Sequence, residues 1–516
     1  MILCSFICSA LAQMPKGWED PLPSGPMKDD YELTADSKRQ EGVPQGKTLS
    51  FKITESKIFP GTERTIWVYV PSQYKADKPA CVYVGLDGLG FNVPVVFDNL
   101  IHKNEMPVTI AVGVQPGTVP APDGQDNPRH NRSYEFDGLS DELCRFLTEE
   151  VFPEVEKQQT PDGLEIKLSK DPNDRCTGGG STGGIGAFKL AWERPDQFRR
   201  VFSAIGTFVC MRGGDRYPIL VRKSEPKPIR IFMQDGHHDQ WGGGPEVGDW
   251  WIGNVALQRA LEFSGYDVKH AWGTGPHSGK QAAMLFPDAM RWLWRDYPEP
   301  IKTAPEKSLN VFLKQILKPG KDWVEVPENE MPPELADNSF TCPSGDRYVS
   351  DTKEGTVYLV KPDGTKTKVA EGLVAPTGVA ATPDGKWFAV VESRTHWGRS
   401  YRIKPDGTLE HGQRYYWFHV PDTDENLGSG ACCFDADGRF YVATRMGVMV
   451  LDRNGRSRLI LPLPNSDGNP EAISLCFGGE ELDTIYVTGG KKVFKRRLNV
   501  KGAPKSYEKL PGWGAG

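Results

Sequence analysis

The sequence lacks any apolar run long enough to span a bilayer, and it lacks an excess of positive charge. Beyond residue 12 no stretch approaches the roughly 18 to 20 apolar residues of a membrane helix, so no membrane span is expected. Lysine and arginine number 62 against 68 aspartate and glutamate, a net charge of −6. This balance argues against nucleic acid or an anionic membrane as a partner.

Cysteine is also sparse, and its spacing excludes common zinc sites. Ten cysteines are scattered through 516 residues with no C-x-x-C pair and no suitable His-Cys spacing. Most lie in apolar segments such as CVYV, ACCF and SLCF, which is typical of small buried side chains. We therefore expect no metal site and no cofactor.

The first fifty residues are predicted to form a signal peptide and an extended N-terminal arm. Residues 1–12, MILCSFICSALA, resemble the apolar core and A-x-A cleavage site of a secretory signal peptide. Residues 13–50 are polar and rich in proline and glycine, and are expected to form an extended N-terminal arm. The predicted location is secreted or periplasmic.

Residues 51–298 alternate strand-like and helix-like segments. Strands are predicted at 51–58, 64–71, 80–86, 107–114 and 228–235, and helices at 137–157, 186–194, 250–264 and 282–295. Several strands are almost wholly apolar, as buried parallel strands are. The alternation predicts a three-layer α/β/α domain.

The composition and the hydrophobic periodicity of the sequence change near residue 300. Residues 299–308 form a proline-rich and charged linker, and the segment 309–516 has almost no helical periodicity. A turn followed by a strand recurs at 341–351, 381–392, 434–444 and 477–488, often with a D-G or N-G turn. This spacing predicts an all-β propeller with four clear blades. Residues 309–326 and 490–512 are candidates for a fifth or sixth blade.

The segment CTGGGSTGGIGAF (176–188) holds six glycines around one Ser-Thr pair. No Gly-Lys-Ser/Thr ending follows, which excludes a P-loop. A G-x-G-x-x-G match is present, but about 120 residues of α/β sequence precede it and the acid Asp196 follows in a helix end, which disfavours a dinucleotide site. The remaining reading is G-x-S-x-G, a nucleophile elbow that places Ser181 between a strand and a helix.

Partners for a serine nucleophile follow in the order acid, then histidine. The segment IFMQDGHHDQW ends a strand and offers Asp235 or Asp239, and His277 lies in a Gly/Pro loop before the last helix. An oxyanion hole would use the backbone N–H of Thr182 and that of Leu89 in the loop VGLDGLGF.

At these residues the N-terminal domain resembles the esterase D, feruloyl esterase and enterochelin esterase group of α/β-hydrolases. The segments that carry the resemblance are LDGLGF, RHNRSYEFDGLSDELCRFLTEEVFP, GGSTGGIGAFKLAWERPDQFRRVFSAIGTF, QDGHHD, GYDVKHAWGTGPHS and MRWLW. It implies Ser181, Asp239 and His277 as the catalytic residues, with Asp235 and Asp249 as alternatives for the acid. Arg132 and Glu135 match its R-x-x-E element, which we interpret as a structural ion pair.

Residues of about 325–500 resemble the gluconolactonase, senescence-marker and strictosidine-synthase-like propellers. The segments PTGVAATPDGKWFAVVE, GRFYVATRMGVMVLDRNGR and ISLCFGGEELDTIYVTGG carry this resemblance. The family holds a divalent metal with Glu, Asn and Asp, whose positions here are Asp337, Thr377 and Gly430. Thr and Gly are poor replacements for such oxygen ligands, which favours a non-catalytic propeller.

The resemblance implies a secreted serine esterase that removes feruloyl or acetyl groups from plant or algal polysaccharide. Trp241, Trp250 and Trp251 lie near the acid in the sequence, and we expect Trp241 and Trp250 to contact the substrate. The expected partner is an acylated carbohydrate or a small ester. The alternatives are a metal-dependent lactonase acting in the propeller and a non-catalytic carbohydrate-binding protein.

Overall fold

A computed structural model describes residues 23–122, 127–242, 244–327, 330–332, 335, 339–421, 430–464 and 472–503. The predicted signal segment 1–12 lies outside the described residues. The chain forms two units, Met1–Pro218 with Lys227–Thr303 and Ile219–Pro226 with Ala304–Gly516. The break at residue 303 falls inside the predicted linker 299–308, whereas the transfer of 219–226 to the second unit has no counterpart in the sequence pattern.

The first unit is built on one eight-stranded sheet. Its strands are β1 Lys47–Ile53, β2 Arg64–Val70, β3 Cys81–Leu86, β4 Thr109–Val114, β7 Arg175–Gly180, β8 Arg200–Ala204, β9 Arg230–Gly236 and β10 Asp267–Gly273. The spatial order is β1-β2-β4-β3-β7-β8-β9-β10. The β1–β2 and β2–β4 pairs are antiparallel and the remaining pairs are parallel. A short hairpin, β5 Thr118–Val119 and β6 Arg129–His130, stands apart from this sheet.

Helices flank this sheet. They are α1 Val93–His102, α2 Arg132–Asp137, α3 Glu142–Arg145, α4 Phe152–Glu156, α5 Thr182–Glu193, α7 Trp250–Phe263 and α8 Lys280–Trp294. The helix α6 Tyr217–Lys223 begins at the end of the segment Met1–Pro218 and continues into the segment Ile219–Pro226 of the second unit. An aromatic cluster that includes Tyr83, Phe97, Phe202 and Phe286 joins α1 and α8 to the strands. The predicted α/β/α order is confirmed, and the carboxyl ends of the parallel strands meet at one edge, where such folds place their sites.

Two predicted boundaries in this unit are wrong. The helix predicted at 137–157 is interrupted: α2 ends before Gly138, which has extended backbone angles, and α3 and α4 are joined by a π-helical turn, Phe146–Val151. Strand β1 begins at Lys47, so the predicted arm ends earlier than residue 50. β1 extends the sheet because its Lys47–Ile53 backbone pairs with Val70–Arg64.

The N-terminal arm is bonded to the body of the first unit. Asn99 donates its side-chain amide to the carbonyls of Asp36 and Lys38, each at 2.9 Å. Nearer the start, Lys28 N–H donates to the Thr274 carbonyl at 3.2 Å, and Asp29 pairs with Lys280 at 2.6 Å. These bonds tie residues 28–38 to α1 and to the loop before α8.

Among the described residues, the second unit forms four four-stranded antiparallel sheets. The first and second sheets consist of β12 Phe340–Thr341, β13 Arg347–Asp351, β14 Thr356–Val360 and β15 Lys366–Ala370, and of β16 Pro376–Ala381, β17 Trp387–Glu392, β18 Trp397–Ile403 and β19 Leu409–Trp417. The third sheet consists of β20 Cys432–Phe434, β21 Phe440–Thr444, β22 Gly447–Leu451 and β23 Ser457–Leu461. The fourth sheet consists of β24 Ala472–Gly478, β25 Thr484–Gly489, β26 Lys492–Arg497 and β11 Val324–Glu325. A short helix, α9 Val311–Ile316, precedes them.

This arrangement is propeller-like, with four blades. Each repeated segment found in the sequence contributes its turn and the second strand of one sheet, namely β13, β17, β21 and β25. The segments proposed for a fifth or sixth blade do not form one among the described residues. Instead, β11 pairs with β26 and completes the fourth sheet, with Val324 opposite Lys495.

Candidate active site

Ser181 stands at a sharp turn between β7 and α5. Its backbone angles, φ 58° and ψ −124°, lie in a region that side-chain-bearing residues rarely adopt. The Ser181 N–H donates to the Ala204 carbonyl at 2.9 Å, and Gly184 N–H donates to the Ser181 carbonyl at 2.8 Å. A Cβ on Gly179 would lie 2.4 Å from the Gly183 carbonyl oxygen, so only glycine allows the strand and helix to meet this closely.

The structure brings Ser181, His277 and Asp239 into one hydrogen-bonded row. His277 Nε2 lies 2.9 Å from Ser181 Oγ. His277 Nδ1 lies 2.9 Å and 2.8 Å from the two carboxylate oxygens of Asp239. The Asp239 side chain is fully buried, whereas 22% of the His277 side chain is exposed. A buried carboxylate bonded to Nδ1–H leaves Nε2 free to accept the serine proton.

The two other candidate acids occupy different positions. Asp249 caps α7, where its carboxylate accepts the Ile252 N–H at 2.9 Å. Asp235 is fully buried at the end of β9 and accepts the Gly236 N–H at 2.7 Å. Burial and the neighbouring Asp239 carboxylate raise the pKa of Asp235 well above its usual range. Asp239, and not Asp235, bonds to His277.

Trp250 and Thr207 pack against His277 and Ser181. The Trp250 ring packs edge-on to the His277 ring with centroids 5.6 Å apart, and its Nε1–H donates to Thr207 Oγ1 at 3.2 Å. Thr207 Oγ1 in turn lies 3.5 Å from Ser181 Oγ. Trp250 is only 2% exposed, so its position is that of a support and not of the substrate contact that we predicted. No sequence motif singled out Thr207.

The other tryptophans differ in exposure. Trp241 is 67% exposed and directly precedes Gly242, on which a Cβ would lie 2.4 Å from His277 Nδ1. Trp241 therefore stands on the loop that passes His277, and its contact with substrate stays a prediction. Trp251 is buried, with its ring 5.3 Å from that of Trp272, so it belongs to the core.

The loop that carries Leu89 lies against the start of α5. A Cβ on Gly183 would lie 2.9 Å from Asp87 Oδ2, and one on Gly180 would lie 3.5 Å from the Phe91 ring. Residues 87–91 therefore border the turn that carries Ser181. Thr182 is the first residue of α5, and its N–H therefore has no partner within the helix.

The predicted ion pair between Arg132 and Glu135 is wrong, because each residue has a different partner. Arg132 donates through Nε and a terminal amino group to the two Asp87 carboxylate oxygens, at 2.7 Å and 2.8 Å. Glu135 accepts two bonds from Arg64, at 2.6 Å and 2.9 Å, and both of these side chains are fully buried. The R-x-x-E element thus anchors α2 to two separate places: the loop of Asp87 and strand β2.

Asp137, at the end of α2, is a second perturbed carboxyl near the turn. Burial raises its pKa to about 6, against hydrogen bonds from Ser133 and Thr182 and the charges of Arg132 and Lys189. It is thus largely ionised only above pH 6 and lies beside the first residue of α5.

Among the described residues, two of the three positions at which the propeller family holds its metal are occupied by Thr377 and Gly430. Thr377 Oγ1 lies 3.4 Å from the Gly430 carbonyl oxygen, so these two positions are neighbours, while Asp337 lies outside the described residues. Throughout the part of the chain that the structure describes, no three His, Cys, Asp or Glu residues are grouped as a metal site. A threonine hydroxyl and a glycine do not fit the expected divalent ion.

Among the described residues, every helix is too short or too polar to traverse a bilayer.

Two family profiles match the chain. The profile of the putative esterase family matches residues 56–313, which is half of the 516 residues. The profile of the SMP-30/gluconolactonase/LRE-like region matches residues 336–491. Both resemblances that the sequence motifs suggested are thereby confirmed.

Individual relatives are more distant. Pentonolactonase XacC of Haloferax volcanii is 29% identical over 143 residues, which is 27% of this chain and 46% of that protein. Lactonohydrolase oryH of Aspergillus oryzae is 23% identical over 168 residues, which is 33% of this chain and 32% of that protein. The chain therefore spans less than half the length of each of these curated relatives.

Each part of the chain also matches solved structures at low sequence identity. A ferulic acid esterase is 16% identical and covers 49% of this chain and 99% of its own, with a TM-score of 0.38. The enterobactin esterase of Shigella flexneri is 19% identical, with 51% and 62% covered and a TM-score of 0.37. A putative gluconolactonase is 23% identical, with 32% and 59% covered and a TM-score of 0.28.

The profile match over residues 56–313 is the finding that decides the family. The chain belongs to the putative esterase family and carries an SMP-30/gluconolactonase/LRE-like region in its C-terminal half.

Proposed function

We propose that the chain is a carboxylic ester hydrolase and that Ser181, His277 and Asp239 form its catalytic triad. The observation that carries the proposal is the continuous row of hydrogen bonds from Ser181 Oγ through both ring nitrogens of His277 to Asp239. The strained turn at Ser181 adds support, because such strain is kept where a nucleophile must project from its strand.

The geometry supports a two-step mechanism. Ser181 Oγ attacks the ester carbonyl carbon while His277 Nε2 accepts its proton, and a tetrahedral oxyanion forms. His277 then returns the proton to the leaving alkoxide, the C–O bond breaks, and an acyl-serine remains. Water repeats the sequence, with His277 as base, and releases the carboxylic acid. Asp239 holds the Nδ1–H tautomer and stabilises the imidazolium.

The oxyanion requires donors close to Ser181. We assign this role to the backbone N–H of Thr182, at the N-terminus of the twelve-residue helix α5, and to that of Leu89. The support for Leu89 is the contact of its loop with the start of α5, made through Asp87 and Phe91. The Arg132–Asp87 bonds brace this loop.

The proposed substrate class is a feruloyl or acetyl ester of a plant or algal polysaccharide, met outside the cell. The exposed Trp241 beside the His277 loop supplies a flat apolar face for an aromatic acid or a sugar ring. The signal-like segment 1–12 supports export, and the negative net charge makes a polyanionic partner unfavourable.

Hydrolysis of p-nitrophenyl acetate and methyl ferulate tests this assignment. Ser181→Ala should lower kcat at least ~10⁴-fold with both esters, because the nucleophile is lost. Ser140→Ala is the matched control, since its hydroxyl bonds to Glu142 away from the row. A serine-directed phosphonate should label wild type covalently at one phosphonyl group per chain, detected by intact-mass spectrometry. It should not label Ser181→Ala.

The substrate arm of the same assay concerns Trp241. Trp241→Ala should raise KM for methyl ferulate several-fold while the kcat for p-nitrophenyl acetate stays within twofold. Equal loss on both esters would remove Trp241 from the substrate-binding surface.

The propeller provides the competing location for hydrolysis, as a metal-dependent lactonase. The lactone-hydrolysing relatives match parts of this chain, but the threonine and glycine at two ligand positions disfavour it. Ester hydrolysis that survives Ser181→Ala but disappears with EDTA would contradict the triad and move the chemistry to the propeller.

A further inference from the structure

A cavity of about 850 Å³ lies within the second unit, between its second and third sheets. Its lining includes Asp384, Trp387, Gln413, Tyr415, Phe434 and Arg453, and we call it the blade cleft. Its volume is in the range of clefts that hold ligands of drug size, roughly 300 to 1,000 Å³.

The blade cleft lies between two apolar core clusters, each of which joins a pair of neighbouring sheets. One core cluster joins the first and second sheets through Tyr348, Val357 and Phe388. Another joins the third and fourth sheets through Tyr441, Val450 and Ile485. Between the second and third sheets, Tyr416 packs on Phe440 with centroids 4.4 Å apart, and the cavity opens beside this contact.

Its position separates it from the expected metal position of the propeller family. Trp387 is the first residue of β17 and Phe434 the last of β20. Thr377 pairs near the other end of β17, where Pro376 lies opposite Glu392, and Gly430 precedes β20. The blade cleft therefore lies at the opposite strand ends from Thr377 and Gly430.

Aromatic faces dominate the walls of the blade cleft. Trp387 lines the cleft and is 46% exposed, so its ring is open to a ligand. Tyr415 is half-buried, and its hydroxyl donates to the Arg453 carbonyl at 2.9 Å, which fixes the ring. Phe434 is buried at the back against Phe440, with centroids 4.9 Å apart.

Three exposed polar side chains, Asp384, Gln413 and Arg453, complete the lining. Among the described residues, the Gln413 side-chain amide has no hydrogen-bond partner. Asp384 Oδ1 accepts from Thr382 Oγ1 at 2.6 Å and from Lys386 N–H at 3.2 Å. Arg453 donates through Nε to the Asp437 carbonyl at 2.8 Å, which orients its terminal amino groups.

We propose that the blade cleft binds a neutral pyranose unit of a carbohydrate. A pyranose has apolar C–H faces that match the rings of Trp387 and Tyr415, and a rim of hydroxyls that both donate and accept. Asp384 accepts, Arg453 donates, and the Gln413 amide does both. The charges of Asp384 and Arg453 cancel, which favours a neutral polyhydroxyl ligand over an aromatic carboxylate.

Isothermal titration calorimetry on the full chain tests this proposal. The probes are xylohexaose, cellohexaose and laminarihexaose, none of which carries an ester, with ferulate as the charged aromatic comparison. Wild type should bind at least one oligosaccharide saturably. Trp387→Ala should weaken that binding about tenfold and Gln413→Ala about fivefold. Trp417→Ala is the control, because this 39% exposed tryptophan of the same sheet stacks on His396 outside the cleft.

Each outcome decides the proposal. Failure of all three oligosaccharides to bind wild type overturns it, as does unchanged binding in both Trp387→Ala and Gln413→Ala. Binding of ferulate alone, lost in Trp387→Ala, would make the cleft an aromatic-acid site. Hydrolysis of p-nitrophenyl acetate should stay within twofold in Trp387→Ala, so this result stands apart from that of the triad.

Discussion

The backbone of Gly242 passes so close to the imidazole of His277 that a side chain at this position has no room. A Cβ on Gly242 would lie 2.4 Å from His277 Nδ1, 2.7 Å from Cγ and 2.8 Å from Cε1. Ordinary van der Waals contact begins near 3.4 Å. The ring is rigid and already bonded to Asp239, so Gly242→Ala must move it, or the loop, by about 1 Å.

A displacement of this size has a calculable consequence. Moving the ring by ~1 Å lengthens its bonds to Ser181 and to Asp239 beyond good hydrogen-bond geometry. Misplacement on this scale costs on the order of 10²-fold in rate. We expect Gly242→Ala to lower kcat/KM for p-nitrophenyl acetate by about that factor. The melting temperature should change little, because Gly242 is only partly buried in a surface loop.

Gly279→Ala is the matched control. Gly279 lies two residues from His277, and its added Cβ would meet only the Phe91 ring at an ordinary 3.8 Å. Its activity should stay within threefold of wild type. If Gly242→Ala also retains activity within threefold, the close packing of Gly242 does not position His277 and the reasoning fails.

Three further predictions concern stability, each measured by urea or thermal unfolding. The pKa of Asp137 is about 6 in the folded state and 3.8 in the unfolded state, so wild type loses stability as pH rises from about 4 to 6. Asp137→Asn lacks this loss. It should be more stable than wild type by about 3 kcal/mol above pH 6 and equal to wild type below pH 4. The pKa of Asp235 is also raised, so Asp235→Asn should gain stability over wild type increasingly as pH rises above about 4, and a constant difference would show that Asp235 is ionised when folded. Arg64→Met leaves Glu135 charged and buried without its partner and should cost about 3 to 5 kcal/mol, whereas a cost below 1 kcal/mol would contradict the buried ion pair.

The nucleophile turn could be predicted because its chemistry is local. A serine at positive φ between a strand and a helix needs small neighbours on both sides, and the segment 178–186 provides them. The order serine, acid, histidine then directed attention to the right loops. The choice between Asp235 and Asp239 stayed open, because only the turn after β9 decides which carboxylate faces His277.

Long-range partners could not be predicted in the same way. Arg132 and Glu135 lie three residues apart in a helical segment, a spacing that suggests a mutual pair. Their actual partners, Asp87 and Arg64, are 45 and 71 residues away and become neighbours only through the register of the sheet. The role of Trp250 was missed for the same reason, since its burial under His277 depends on how α7 packs.

The four-bladed count illustrates another limit. The repeated turns identified the second strand of every sheet, but not that β11, from before the first repeat, closes the last one. Strand pairing across more than 160 residues, such as Val324 with Lys495, leaves no periodic mark in the sequence.

The bonded N-terminal arm limits how short a recombinant esterase unit can be. A chain trimmed to the predicted domain start at residue 51 would lose the first four residues of edge strand β1. It would also lose the bonds that Gly25, Lys28 and Asp29 make to His238, Thr274 and Lys280, on either side of the His277 loop. Truncated or tagged proteins should therefore keep the residues from 23 onward. Removal of these residues would shorten the edge strand β1 and loosen the segment that carries His277.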